Sequence, residues 1–296
     1  QTVGQLMQGS KYGNLTTARV SPDGFNPGYW DPFLYNSRFT SALGIFPFAD
    51  NVYSTDIKGL VLATHSAGIV AMADGLGNEV PANILQVIRP DGVIVKPDVP
   101  MVPMDSTYIA DAVAAMNTAA PPPMMAFSYS NHGALRTGYV FAYSRATDGS
   151  AAGINFAAAD LGVSGAAYVY DYFGQRGRLV PAGSGFNDSV TVKGSYYIVA
   201  PVGASGMALV GDTGKFVSAG QQRISQVEDD GILSVSVEFS AGEASTTIWG
   251  YSPTAPIVTV TRGSISQSSY DAAAQVFMIV IGPAPGELIA GLSLSR

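Results

Sequence analysis

The sequence predicts an α/β segment followed by an all-β segment, the second folding as an antiparallel β-sandwich. Three observations point there. Apolar runs in the first hundred residues alternate between strand-like and helical spacing, the run PPP at 121–123 closes an alanine-rich stretch, and nine short β-branched and aromatic runs recur from Met124 onward. Strand, helix, strand is the repeating unit of a parallel sheet or barrel, whereas short strands spaced by turn residues are the pattern of a sandwich.

Taken in order, GLVLATHSAG at 59–68 is apolar with small residues and suits a packed helix. IVAMAD at 69–74 follows as a short buried strand that ends in the carboxylate of Asp74. EVPANILQVI at 79–88 sets Val80, Ile84, Leu85 and Ile88 at helical spacing, with Pro81 tolerated in the first turn. GVIVKPD at 92–98 is a further strand candidate. The stretch 111–120 is rich in alanine and stops at three prolines, which cannot continue a helix, so 1–105 reads as the α/β portion and 106–123 as a linker. From 124 to 296, runs such as TGYVFAYSR, AAYVYDYF and ILSVSVEFS are separated by Gly, Asn, Asp and Ser, as half-buried antiparallel strands are. No repeat of fixed period is visible, which disfavours a propeller or solenoid.

Composition narrows the function classes. The 296 residues are 47% hydrophobic and 12% charged, enough apolar material for a large core and too much for a disordered chain. Gly, Pro, Asp or Ser interrupts every apolar run before the ~20 residues a membrane helix needs. A net charge of −7 with scattered basic residues offers no footprint for nucleic acid. Cysteine is absent, which removes disulfides and thiolate chemistry. Few lysines and abundant Ser, Thr, Gly and Tyr favour an extracellular or periplasmic protein, and the opening Gln1 without a signal sequence reads as a processed product or part of a longer one.

Two motifs are decoys. GDTGKF at 211–216 resembles a phosphate loop, but Leu209 stands where the first glycine is needed and Phe216 where the magnesium hydroxyl is, so a β-turn with a solvated Lys215 is expected. His65 and His132 are 67 positions apart with no cysteine to help, and His65, among small apolar residues, reads as a satisfied core histidine. No metal and no cofactor is expected. The aromatics Tyr168, Tyr170, Tyr172 and Trp249 invite a carbohydrate-binding role, although strand aromatics are ordinarily core.

Carboxylates remain. Asp23, Asp31, Asp50, Asp74 and Asp98 fall in the α/β portion, several at the ends of apolar runs, where an α/β barrel gathers its working residues. A pair of carboxylates can cleave a glycosidic bond, with aromatic and polar neighbours holding the sugar. Asp23, in ARVSPDGFNPGYWDP, has Tyr29, Trp30, Phe33 and Tyr35 close in sequence. Asp in S-P-D-G is equally a good turn residue, so spacing leaves both roles open.

The order of the motifs adds a resemblance. TARVSPDGF, then WDPFLYNSRFTSALGIFPFADNVYS, LATHSAGIVAMAD and IRPDGVIVKPDVPMVPMD resemble the latter part of the barrel in raffinose synthase and α-galactosidase-like glycoside hydrolases. Arg19, Ser21, Asp23 and Phe25 look like that family's R-x-S-D-D-F segment, Pro47 and Asp50 its P-x-W-D-M-F turn, Ser66, Gly68 and Asp74 its S-G-G-P-I-Y-x-S-D strand, and Pro90, Asp91 and Gly92 its P-D-G-x-x-L-R strand. Pro22 replaces one of the two adjacent aspartates, and Ala49, Ala67 and Ile69 replace a tryptophan, a glycine and a proline of the pattern.

The resemblance implies a partial (β/α) barrel segment joined to the sandwich. It implies a retaining hydrolase of α-linked sugars, with galactose-containing ones as candidates, Asp23 as general acid/base and Asp50 and Asp74 on the substrate side; Arg19, which matches the same segment as Asp23, and Trp30, close to Asp23 in sequence, are read as substrate-binding beside them. The family's nucleophilic aspartate belongs to an earlier strand, upstream of anything matched here. A carbohydrate substrate is therefore one expected partner, and a missing N-terminal barrel portion or further copies of this chain is another, because an open barrel exposes strand edges. The alternative is a noncatalytic, self-associating β-rich subunit of a filament, shell or surface layer that reuses such a scaffold.

Overall fold

The computed structural model describes residues 3–11 and 13–296. Helix α1 (Val3–Lys11) leads into strand β1 (Thr17–Arg19), helix α2 (Trp30–Ala42) and strand β2 (Phe46–Phe48). The Asn26 side chain caps the turn that opens α2, accepting from Gly28 N at 3.0 Å. Trp30, Phe33, Leu34, Ser37 and Thr40 are its buried face, the three-to-four spacing of one helical stripe. β1 and β2 run parallel, with Ala18 opposite Pro47, so α2 is the crossover between them. Helix α3 (Ile57–Thr64) is capped by Asp56, whose carboxylate accepts from Gly59 N at 2.9 Å, and beyond it Met72 makes a parallel bridge to Val52.

Three local expectations differ. Residues 69–74 are part exposed and join the parallel set through that one bridge only. Ala67 adopts a left-handed backbone, and Gly68 passes so near β2 that a Cβ on it would lie 2.5 Å from Pro47 O; the chain enters 69–74 from a turn rather than in register. The helix expected at 79–88 is one turn, α4 (Pro81–Ile84), because a tight turn with Gly92 in the left-handed region brings Ile94 back against Ile88. That bridge is also all that forms of the strand expected at 92–98. After strand β3 (Val102–Pro103), much of the expected linker is helix α5 (Asp105–Met116), which buries Thr107 alone.

The rest is mainly antiparallel β. Strands β4 (Met124–His132), β5 (Leu135–Tyr143), β6 (Ala152–Ala157), β7 (Ala167–Asp171), β8 (Arg176–Val180), β9 (Gly185–Val190) and β10 (Ser195–Pro201) follow in order. A six-stranded sheet has the order β3-β4-β5-β10-β7-β8, and β6 pairs with β9 beside it. Side chains of β5 alternate between two cores. Tyr139, Phe141 and Tyr143 pack with Trp30, Phe33 and Leu60 of the α/β segment, whereas Val140 and Ala142 pack with Ile154, Phe156 and Phe186 of the β6–β9 pair.

Strands β11 (Ala208–Asp212), β12 (Ile224–Asp229), β13 (Leu233–Glu238), β14 (Thr246–Tyr251), β15 (Ile257–Arg262), β16 (Ser264–Asp271), β17 (Val276–Gly282) and β18 (Ile289–Ser295) form two four-stranded sheets, β11-β14-β17-β16 and β12-β13-β18-β15. Ile248, Phe277 and Ile279 from one share a core with Val235, Val237 and Leu292 from the other, a sandwich closed by its inner faces. The antiparallel strands thus build this sandwich and the separate six-stranded sheet, where a single sandwich was expected. Polar side chains tie the units: Lys215, expected in solvent, is buried and donates to the carbonyls of Leu85 and Ile88.

Candidate functional site

Acidic residues collect where the parallel strands end. Arg19, the last residue of β1, donates from Nε to Ser21 O at 2.9 Å, pairs through Nη1 with Asp50 Oδ2 at 2.9 Å, and holds Asp23 through Nη2. Asp50 follows β2, and its backbone N–H donates to Ser21 Oγ at 2.9 Å, stitching the two strand ends together. Asp50 is 28% exposed and Asp23 79% exposed, so the cluster opens to solvent on the Asp23 side. Beside it lies a cavity of about 460 Å³ lined by Arg19, Ser21, Pro22, Tyr29, Asn36 and Phe39. Asp23 occupies a turn with Gly24 in the left-handed region, and the turn stands at the carboxyl end of a parallel strand. The two roles its sequence left open are compatible in this fold.

The other expected site residues sit apart. Asp74 follows the Val52–Met72 bridge but accepts from Ser54 N at 2.9 Å and Ser54 Oγ at 2.7 Å, while Ser54 Oγ accepts from Val80 N at 2.8 Å. These contacts lock two loops and do not reach Arg19. Trp30 is 1% exposed, with its ring edge-to-face on Phe141 at 5.2 Å and Tyr143 at 5.1 Å. A ring that stacks on a ligand needs an open face; Trp30 is enclosed in the core, and its Nε1 has no hydrogen-bond partner there. Asp98 accepts from Asn131 N at 2.9 Å and pins β4.

A second polar cluster carries no sequence signal. Arg145, just past β5, reaches Asp31 of α2 at 3.4 Å and Asp111 of α5, and donates through Nε to Pro122 O at 2.6 Å. Tyr143 donates to Asp31, and Tyr35 donates to Asp111. Burial, reinforced by Asp111, pushes the Tyr35 hydroxyl up to about 12, so both tyrosines act as proton donors in fixed hydrogen bonds. Partners more than twenty residues apart define the cluster, which is why spacing could not reveal it.

His65 is fully buried. Tyr196 spends its proton on Phe216 O at 2.6 Å, so its oxygen accepts from His65 Nε2–H at 2.7 Å, and Nδ1 accepts from Ser128 Oγ at 2.7 Å. Burial lowers the imidazole to about 3, so it is neutral across the physiological range. Among the described residues no group of three or more His, Asp or Glu is arranged to hold a metal ion, and no helix is long and apolar enough to cross a membrane.

In comparisons with known proteins, no protein-family model matches the sequence and no curated protein is significantly similar to it. The geometry therefore has to carry the functional reading. It presents two carboxylates and one guanidinium at the ends of adjacent parallel strands, an arrangement able to hydrogen-bond a polyhydroxylated ligand through the carboxylate oxygens that Arg19 leaves open.

Proposed function

We propose that this chain is the carboxyl-terminal portion of a retaining glycoside hydrolase acting on α-linked, galactose-containing sugars, its α/β segment being part of a (β/α) barrel. Asp23 is the acid/base, Arg19 and Asp50 orient it and the sugar, and the nucleophile comes from polypeptide outside this chain. The observation that carries the reading is positional: Asp23, Asp50 and Asp74 each follow a parallel strand or bridge at its carboxyl end, the face on which barrel enzymes work. The edge of β1 also supports it. Among the described strands β1 pairs with β2 alone, and parallel sheets are stable when further strands and helices cover them. An extracellular or periplasmic setting belongs to the same reading, on composition.

A second reading is favoured by the same edge. Phe46, Ile69, Met72 and Leu76 are exposed in this segment, which suits a noncatalytic subunit that covers its apolar surface by self-association.

The test is hydrolysis of α-galactosides by the native protein purified from its source, beside an Asp23→Ala variant. An acid/base role predicts that D23A loses about 10² to 10⁴-fold on substrates with poor leaving groups and far less on dinitrophenyl glycosides, which leave without protonation. No hydrolysis by the native material, together with concentration-dependent assembly of the chain alone in native mass spectrometry, would decide for the second reading.

A further inference from the structure

The hairpin between β7 and β8 lies beside the start of α3, and a cleft of about 450 Å³ opens between them, lined by Lys58, Gln86, Tyr170, Tyr172, Phe173 and Gln175. That volume is in the range of small-molecule sites and fits one or two sugar rings. Lys58 Nζ stands 2.9 Å from the centroid of the Phe173 ring, so the ring takes one face of the ammonium. Among the described residues no oxygen accepts a hydrogen bond from Nζ and no carboxylate forms an ion pair with it. Asp171, on the same hairpin, accepts from Gly174 N at 2.9 Å and lies 3.6 Å from Arg176. Burial lowers the Lys58 ammonium to about 8 while Asp171 pulls the other way, the mark of a cation short of an anion.

The neighbouring polar groups are likewise unspent. Tyr172 donates to Gln86 Oε1 at 3.0 Å, which leaves the Gln86 amide nitrogen with two long contacts of 3.5 Å. The Tyr170 hydroxyl and the Gln175 amide have no protein partner among the described residues. Gln175 holds a left-handed backbone at φ 50°, as Gln275 does at φ 54° in the equivalent turn between β16 and β17, so hairpin geometry fixes its place at the cleft.

One cation, amide and hydroxyl groups at hand, and aromatic walls define the ligand by chemistry. We propose that this cleft binds an acidic sugar of the uronate type, its carboxylate on Lys58 and its hydroxyls on Gln86, Tyr170 and Gln175. Phosphate fits poorly, since no arginine lines the cleft to meet a dianion with a bidentate fork. A neutral sugar leaves Lys58 unpaired. The site does not involve Arg19, Asp23 or Asp50 and does not depend on the glycosidase reading.

The experiment titrates galacturonate and its short oligomers into the full chain by calorimetry, with galactose oligomers and inorganic phosphate as comparisons and Lys58→Met as the variant. Saturable uronate binding in the millimolar range or tighter, weakened about tenfold or more in K58M and absent for galactose, is the expected result. In parallel, acetylation of Lys58 followed by peptide mass spectrometry in the unmutated chain should slow when the uronate is present, with exposed Lys193 unaffected; this arm stands even if K58M fails to fold. No saturable uronate binding, equal binding of galactose or phosphate, unchanged affinity in a folded K58M, or unprotected Lys58 would overturn the proposal. None of these outcomes bears on α-galactoside hydrolysis.

Discussion

Arg19 Nη1 lies 2.9 Å from Asp50 Oδ2, and this pair joins the carboxyl end of β1 to that of β2. The same guanidinium also holds Asp23, so one side chain sets the position of both carboxylates at the candidate site. Each partner is part exposed, and solvent-exposed pairs contribute at most about 1 kcal/mol. Arg19→Met should therefore lower stability by less than about 1 kcal/mol in urea titration while freeing Asp23 and Asp50. If Asp23 is the acid/base, the native protein's α-galactoside hydrolysis falls with R19M although the unfolding midpoint barely moves. A large loss of stability would recast the cluster as structural.

The cluster around Arg145 behaves differently, because its side chain is 8% exposed and bridges two carboxylates on different helices. Removing Arg145 leaves Asp31, 39% exposed, and Asp111, 25% exposed, without their shared cation, a loss between that of a surface pair and that of a fully buried one, about 1 to 3 kcal/mol. Arg145→Met should show that loss in urea unfolding. Arg262, half exposed in its pair with Glu287, is the control: R262M should leave the midpoint unchanged.

His65 makes stability depend on pH. Its imidazole ionises near 3 in the folded protein and near 6.5 when unfolded, so the unfolded chain binds more protons between those values. The contribution is fully present above about pH 6.5 and is lost as pH falls toward 3, on the order of 5 kcal/mol in all. Urea midpoints measured from pH 7.5 to 5 should fall in the wild type. They should fall less in His65→Gln, which starts lower because the Ser128 and Tyr196 hydroxyls lose their fitted partner.

Trp30 reports where the core is. With the indole 1% exposed, a Trp249→Phe variant should fluoresce at short wavelength, resist iodide quenching, and show no change when galactosides are added. Trp30→Ala should cost about 3 to 5 kcal/mol, as loss of a large buried aromatic does. A galactoside-induced shift in W249F would return Trp30 to the binding surface.

Alternation is plainest in strands with one buried and one open face, whereas β5 and β11, buried on both faces, and β15, exposed almost throughout, are legible from β-branched and aromatic content. ILSVSVEFS alternates because β13 buries Leu233, Val235 and Val237 and leaves the serines between them half-buried. β8 and β16 carry neither alternation nor a run of β-branched and aromatic residues; they form because a neighbouring strand offers hydrogen bonds. The strand misread at 69–74 is the converse case, an apolar run whose geometry a turn at Ala67 and Gly68 overrides.

By itself the sequence determined the succession of textures, the break at the prolines, the core placement of His65, and the placing of acidic residues just after apolar runs. These follow from local pattern, side-chain chemistry and the limits on proline and glycine backbones. The tertiary structure decided which carboxylates meet. Asp23 and Asp50, 27 positions apart, share Arg19 because β1 and β2 pair in parallel, while Asp74 turns to Ser54 and Trp30 turns into the core. Such partnerships depend on strand register and crossover packing, which bring residues from remote positions to one point in space and leave no trace in local spacing.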